Sequence, residues 1–413
     1  MNRTRRRSTA SAAGRPGCAA SATARARSTP SATARTRSAA SAAVAAAVLA
    51  GLVTAAGPAV AAGQACTPGI VTLPSLTDGA GGAVTGFGAN GLAVGSSGGR
   101  PVYWTADRAI HEVPLPEGFR SGQVRAVNAR GLMVGTAQSD AQGNPQATFT
   151  YRIGDPSVRL ITAPSATSSG ADVNDAGHVV ALDGGVAKEW IDGAVVRELP
   201  VPADAHPSTV ITSVDGINKR GDIVGTAYTN YVDWENDTSV SWTFPVVWPA
   251  GNYPARSLPV WNEAERDIGS RASDIDGEGR VVGYEQESYR DVQRRTPALW
   301  KQSYTALPAD PGPVAGYGHL TLDAVSPTTN VTVGTAVTYV DGYAARTQAA
   351  YWPGKGPVLA LPYPAGGSGD TLGAALTVSD DDRVGGSYRN WSGGGFGAVI
   401  WTCASKQAYL PQG

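Results

Sequence analysis

One phrase recurs seven times along this chain, and that periodicity limits the possible folds more than any other feature. It reads small–apolar–Asn, two residues, Gly, two residues, Val-Gly. The clearest copies are AVNARGLMVG (126–135), GINKRGDIVG (216–225) and SDIDGEGRVVG (273–283). ADVNDAGHVVA (171–181) and GFGANGLAVG (86–95) are close variants; AVSPTTNVTVG (324–334) and TVSDDDRVGG (377–386) are degraded ones. A variable stretch follows each phrase, then a short apolar segment ending in an aromatic: Trp104, Tyr151, Trp190, Trp248, Trp300, Trp352 and Trp401. Most units close on Leu-Pro, as in VRELP (196–200), YTALP (304–308) and VLALP (358–362).

Each unit of about 50 residues therefore offers four short β-rich segments, a to d, and none has the length or period of a helix. A single four-stranded unit cannot bury its own faces, so the seven must stack. The expectation is an all-β fold, a seven-bladed β-propeller of four-stranded blades, spanning residues 63–413. Asn and Gly suit the a–b turn because both tolerate positive φ, and in the sixth copy Asn330 stands where Gly is expected. The small residues of segment a suit a crowded axis, and the Trp of segment c suits packing between blades. The a–b and c–d connections are short, whereas b–c and d–a vary in length, which confines variation to one rim. IVTLP (70–74) resembles a d strand without a unit of its own. It is expected to lie beside the final AYLP, with a Cys66–Cys403 disulfide stapling the ring; two unpaired thiols are the alternative.

Residues 1–62 have a different character. They hold nine Arg and no acidic residue, then an apolar run from about Ala39 to Thr54, a Gly57-Pro58 break and the small-residue stretch Ala59-Val60-Ala61-Ala62. That order describes a secretory signal peptide with a long basic leader; an uncleaved anchor helix is the alternative. Without it, 33 − 9 = 24 basic side chains face 34 acidic ones, a net charge near −10. Such a chain is a poor partner for nucleic acid or an anionic surface. We expect a secreted monomer that leaves the membrane once the leader is cleaved. Five Lys against 28 Arg is the bias of a GC-rich bacterial genome.

The phrase A-x-x-(I/V)-N-x-x-G-x-x-V-G followed by A-x-x-W resembles the HAF family of extracellular repeats over about residues 83–411. Pro-Val-Tyr or Pro-Ala-Leu replaces the family's His-Ala-Phe here. The resemblance implies an exported repeat protein and no agreed activity. The repeats are also similar to FG-GAP propeller repeats, whose a–b turn is an acidic calcium loop.

Several local motifs compete with this frame. Gly86 to Gly91 spell G-x-G-x-x-G, but as the first a–b turn, without the βαβ context of a dinucleotide site. Gly95 to Gly99 spell G-x-S-x-G without a strand–turn–helix setting. Asp274, Asp276, Glu278, Gly279 and Glu285 match the spacing of a calcium loop. The hairpin already explains the glycine, and the Asp that an FG-GAP loop carries near Val282 is missing, so no metal or other cofactor is expected beyond this calcium candidate.

Asp172, Asp215, Asp274 and Asp323 all precede the Asn position by two or three residues, near the presumed start of segment a, where they would ring the axial entrance. Capping of strand ends is the plainer reading. The b–c loops of units four to seven carry Tyr228, Tyr231, Trp234 and Trp242; Tyr289 and Arg290; Tyr339, Tyr343 and Arg346; and Tyr388, Arg389 and Trp391. Exposed aromatics beside Arg mark partner surfaces, unless the rings fold back onto their own blades. The first functional reading is a non-enzymatic binding module for glycan or protein, acting through the b–c/d–a rim. The second is a hydrolase or lyase acting on polysaccharide, with the axial carboxylates and His206 or His319.

Overall fold

The computed structural model describes residues 66–411 except 235–236, 252, 262–268, 290–291, 341–342, 365–370 and 391–395. The leader at 1–62 lies outside the described residues, as do Arg290 and Trp391. Strand β1 (Gly69–Thr72) precedes the repeats. Repeat one is β2 (Gly82–Phe87), β3 (Ala93–Ser97), β4 (Arg100–Trp104) and β5 (Ile110–Glu112). Repeat two is β6 (Ser121–Val127), β7 (Leu132–Gln138), β8 (Gln146–Arg152) and β9 (Arg159–Leu160). Repeat three is β10 (Ser169–Val173), β11 (His178–Asp183), β12 (Val186–Ile191) and β13 (Ala194–Glu198). Repeat four is β14 (Val210–Ile217), β15 (Ile223–Asp233), β16 (Thr238–Trp248) and β17 (Arg256–Ser257). Repeat five holds β18 (Gly269–Ile275), β19 (Val281–Tyr289) and β20 (Val292–Trp300). Repeat six is β21 (His319–Val325), β22 (Thr332–Val340), β23 (Tyr343–Trp352) and β24 (Leu359–Ala360). Repeat seven is β25 (Thr371–Val378), β26 (Arg383–Asn390) and β27 (Phe396–Thr402), followed by the one-turn helix α1 (Ala404–Gln407).

The fold is all-β apart from that turn, and every repeat is an antiparallel meander. Repeats one to three form separate four-stranded sheets. Repeats four and five share a seven-stranded sheet through one parallel pair, Thr243 with Gly269. Repeats six and seven share an eight-stranded sheet through Thr347 and Leu372. Two expectations need correction. YTALP in repeat five is not a strand, because Tyr304 turns at φ 54°, and a lone bridge from Leu299 to Ala309 takes its place. The terminal d-like segments do not lie side by side. β1 pairs with β27 as the outer strand of repeat seven, and Tyr409 of the final AYLP bridges instead to Ala360 in repeat six. Cys66 and Cys403 are disulfide-bonded, with Cα atoms 5.8 Å apart.

The repeat phrase owes its Asn to hydrogen bonding, not to backbone shape. Gly131, Gly177, Gly221 and Gly279 turn with positive φ, and Asn330 does so in the sixth copy at φ 64°. The phrase Asn itself does not. Buried Asn128 accepts the Arg130 and Leu132 N–H groups on Oδ1 and donates Nδ2 to the Asn174 carbonyl at 2.9 Å. Asn174 donates in turn to the Asn218 carbonyl at 3.1 Å, and Asn218 to the Asp276 carbonyl at 3.0 Å. One amide thus caps its own turn and ties it to the next repeat.

The Gly of Val-Gly answers a different demand. A Cβ on Gly95 would stand 1.9 Å from the Ala83 carbonyl oxygen, and one on Gly334 would stand 1.8 Å from that of Thr321. At these two positions only glycine lets the second strand approach the first so closely, whereas repeat three carries Ala181 there, opposite Gly170.

The repeat Trp packs between consecutive repeats as expected. Trp104, Trp190, Trp248, Trp300 and Trp401 are among the largest fully buried side chains. Trp248, Trp300 and Trp401 each donate Nε1 at 2.7 Å to the carbonyl of the preceding repeat's Leu-Pro: Pro200, Pro259 and Pro362. Trp104 makes the same bond to Pro74, just after β1. Apolar clusters lie between neighbouring repeats, and one made of Leu73, Val84, Ala93, Val102, Trp104, Ala398 and Ile400 joins the last repeat to the first.

Asn218→Ala removes two donated and two accepted buried hydrogen bonds, and is expected to lower folding stability by about 3 kcal/mol. Asn330→Gly, where only positive φ is required, is expected to change it by less than about 1 kcal/mol. Urea unfolding of the two variants measures the contrast.

Candidate functional site

Two regions gather the chemically able side chains, at opposite ends of the strands. The first is a cavity of about 740 Å³ lined by the first strand of every repeat. Each first strand carries a β-bulge at the same place, at Thr85, Arg125, Ala171, Asp215, Ser273, Asp323 and Leu376. A bulge adds a residue to one strand and re-aims its side chain. The bulge residues Thr85, Arg125, Asp215 and Asp323 all line the cavity. In repeats three and five the acid is the residue after the bulge, Asp172 or Asp274.

All four aspartates predicted from sequence therefore share one cavity, but not where the sequence placed them. They lie near the ends of their strands, toward the a–b turns and away from the b–c rim. The reason is that the first strands begin several residues before the repeat phrase does.

Two of the four aspartates are structural ties. Asp172 accepts the Val173 N–H at 2.7 Å and, from the next repeat, the Ile217 N–H at 2.9 Å. Asp274 does the same with Ile275 at 2.7 Å and Val325 at 2.9 Å. Asp215 accepts the Ser213 hydroxyl at 2.5 Å, and Asp323 the Thr335 hydroxyl at 2.9 Å. Each keeps a wetted edge on the cavity, yet protein surrounds most of the carboxyl. Burial therefore raises their pKa values, to about 6 for Asp172, Asp215 and Asp323. Asp274 rises to about 8, through burial first and then the neighbouring Asp172 charge.

Sequence reading missed the cations of this cavity, Arg125, Lys219 and Arg271. The signal was available, since Arg125 holds the phrase position that Asp215 and Asp323 hold in their repeats.

The calcium-like acids are committed elsewhere. Buried Asp276 accepts the Glu278 and Arg280 N–H groups and pairs with the Arg280 guanidinium at 2.5 Å. Glu285 accepts the Trp261 N–H at 3.0 Å. Among the described residues, no three His, Cys, Asp or Glu side chains meet as ligands for a metal ion. His206 and His319 do not line the cavity.

The second region is the b–c end of repeats four to seven. Its aromatic residues lie mostly on long paired strands, not in loops, because β15 and β16 pair over eleven residues and β19–β20, β22–β23 and β26–β27 over seven to nine. In repeats one to three the corresponding hairpins pair over five to seven residues.

Some rings fold inward. Tyr228 is half-buried and shares a hydrogen bond with Ser241. Tyr231 stacks on His206 at 4.0 Å and meets the Trp242 edge at 6.4 Å. Others face solvent: Trp234, at the hairpin tip, is 83% exposed, and Tyr339 and Phe396 are also exposed. Guanidiniums accompany the rings, with Arg346 5.2 Å from the Tyr317 centroid and Arg389 5.9 Å from that of Phe396. Tyr289 ends β19, Tyr343 begins β23 and Tyr388 lies within β26.

The class of fold is that of a β-propeller. The chain is similar to the β-propeller domain of the Trilobed protease from Pyrococcus furiosus, at 10% identity and a TM-score of 0.50, covering 78% of this chain and 95% of that one. It is also similar to a catalytically inactive virginiamycin B lyase from Staphylococcus aureus, solved with quinupristin (9% identity, TM-score 0.47, 81% and 99% covered). A prolyl endopeptidase resembles it at 11% identity and a TM-score of 0.48, with 84% of this chain and 51% of that one covered. No family profile and no curated protein matches the sequence. Among the described residues no helix is long and apolar enough to cross a membrane.

The raised carboxyls set the pH dependence of folding. A folded-state pKa above the unfolded value of 3.8 means that the native protein holds the proton more tightly. The stabilisation is complete below about pH 4 and is lost as pH rises through about 6 for Asp172, Asp215 and Asp323 and about 8 for Asp274. The urea midpoint is therefore expected to fall between pH 5 and pH 8, and Asp215→Asn is expected to reduce that fall. A midpoint that stays flat or rises contradicts the assignment.

Proposed function

We propose that this is an exported, seven-bladed β-propeller acting as a non-enzymatic binding module, with a glycan ligand held by the tall hairpins of repeats four to seven. The seven-bladed reading rests on seven meanders around one cavity, with β1 completing the last. It also rests on the repeat-to-repeat Trp–Pro bond continuing from Trp104 to Pro74. The basic and apolar leader and the Cys66–Cys403 disulfide support export.

The observation that carries the function is the one-sided crown: hairpins are longest in repeats four to six, and together with repeat seven they display solvent-facing Trp234, Tyr339 and Phe396, with arginines beside some of the rings. Flat rings stack on sugar faces, and arginine adds charge-assisted hydrogen bonds to hydroxyl or carboxylate groups. A catalytic reading has weaker support. Asp172 and Asp274 are tied to backbone N–H groups, and the two histidines of the rim stand apart from the carboxylates.

Trp234→Ala with Tyr339→Ala is expected to weaken binding to the polysaccharide selected on a glycan array at least tenfold, with cooperative unfolding unchanged. Undiminished binding sinks the crown as the recognition surface. No binding to any glycan turns the reading to a protein partner.

A further inference from the structure

The cavity at the centre of the repeats contains charged groups that the fold itself does not use. Arg125 and Arg271 both line it, and among the described residues neither guanidinium has a hydrogen-bond or ion-pair partner. Asp215 and Asp323 each accept one hydroxyl on Oδ2, from Ser213 and Thr335, with the Thr226 and Thr321 hydroxyls beside them, and neither carboxyl ties one repeat to the next. Asp172 and Asp274, by contrast, have both oxygens engaged. The groups that these ties leave over are thus three cations, Arg125, Lys219 and Arg271, and two carboxylates, on repeats four and six. Arg125, Arg271, Asp215 and Asp323 all line this one cavity, so both signs of charge face the same space. The Tyr284 ring, with the Arg295 guanidinium 5.1 Å from its centroid, adds an apolar face to the same wall.

We infer that the axial cavity is a binding site for a small amine–carboxylate zwitterion, a free amino acid or a short peptide. Its volume of about 740 Å³ lies within the usual range for small-molecule sites. A guanidinium pairs with a carboxylate through two parallel hydrogen bonds, so Arg125 and Arg271 hold the acid end. The Asp215 and Asp323 carboxylates, which line the cavity, accept from the ammonium end. Simpler ligands leave half of the set unanswered. A cation alone does nothing for the guanidiniums, and a phosphate alone does nothing for the carboxylates. An acidic sugar offers only hydroxyls to the carboxylates, whereas burial makes their ionised forms costly and a full positive charge offsets that cost far better. The site stands apart from the crown and does not depend on it.

The test is calorimetric titration of the protein at pH 7 with the twenty free amino acids and alanyl-alanine. The best-bound member is then compared with its N-acetyl and C-terminal amide derivatives, and with glucuronate. One member is expected to bind, and each derivative, which cancels one charge, to bind at least tenfold more weakly. Arg271→Gln and Asp215→Asn are each expected to cause a loss of the same size, with Arg271→Lys partly restoring affinity and Trp234→Ala leaving it unchanged. If no member of the panel binds, the inference is overturned. Glucuronate binding as tightly, or indifference to Arg271→Gln in a variant that still unfolds cooperatively, overturns it equally.

Discussion

The fold depends first on a buried side-chain amide used twice. In repeats two to four the phrase Asn accepts backbone N–H groups of its own turn and donates to the carbonyl of the next repeat, so turn geometry and repeat stacking are one interaction. A buried amide with all its valences met is favourable; one that loses a partner is costly. Where the Asn gives way to Asp276 or Ser326, the side chain still caps the turn through Oδ1 or Oγ. The link to the following repeat then moves to the backbone, as in the Gly277 N–H to Pro327 carbonyl bond at 2.9 Å.

A second buried interaction also joins one repeat to the next. The Trp–Pro bond joins Trp248, Trp300 and Trp401 to the end of the preceding repeat, and the Trp104–Pro74 copy makes β1 part of repeat seven. The Cys66–Cys403 bond sits at the same seam, where one chain end must be held against the other. With seven small interfaces sharing the load, the b–c ends and the cavity wall are left free to vary. That freedom is visible in the tall hairpins on one side and in the unlike residues at the bulge position.

Much of this was legible because the repeat displays its own spacing. The positive-φ turn, the Asn330 replacement, the burial of the repeat Trp and the disulfide all follow from comparing one copy with the next. Other features were hidden because they arise only when strands meet. The bulges that aim Arg125, Asp215 and Asp323 inward appear in register, not in composition. The need for the Gly of Val-Gly comes from a carbonyl oxygen on the neighbouring strand, which no single copy of the phrase displays. The aspartates were placed at the wrong end of their strands because low-similarity residues before the phrase, such as 210–213 and 319–322, are also paired. The AYLP segment resembled IVTLP in residue type, but β1 already occupies the free edge of β27, so the tail turns to repeat six.

The central claim is that the chain closes on itself, with its first strand completing its last repeat. Hydrogen–deuterium exchange at 69–73, followed beside 398–402, tests this directly. The account predicts that the two segments are protected to the same degree and lose protection together as denaturant is added. Exchange at 69–73 as fast as in an unstructured tail, while 398–402 remains protected, would contradict it.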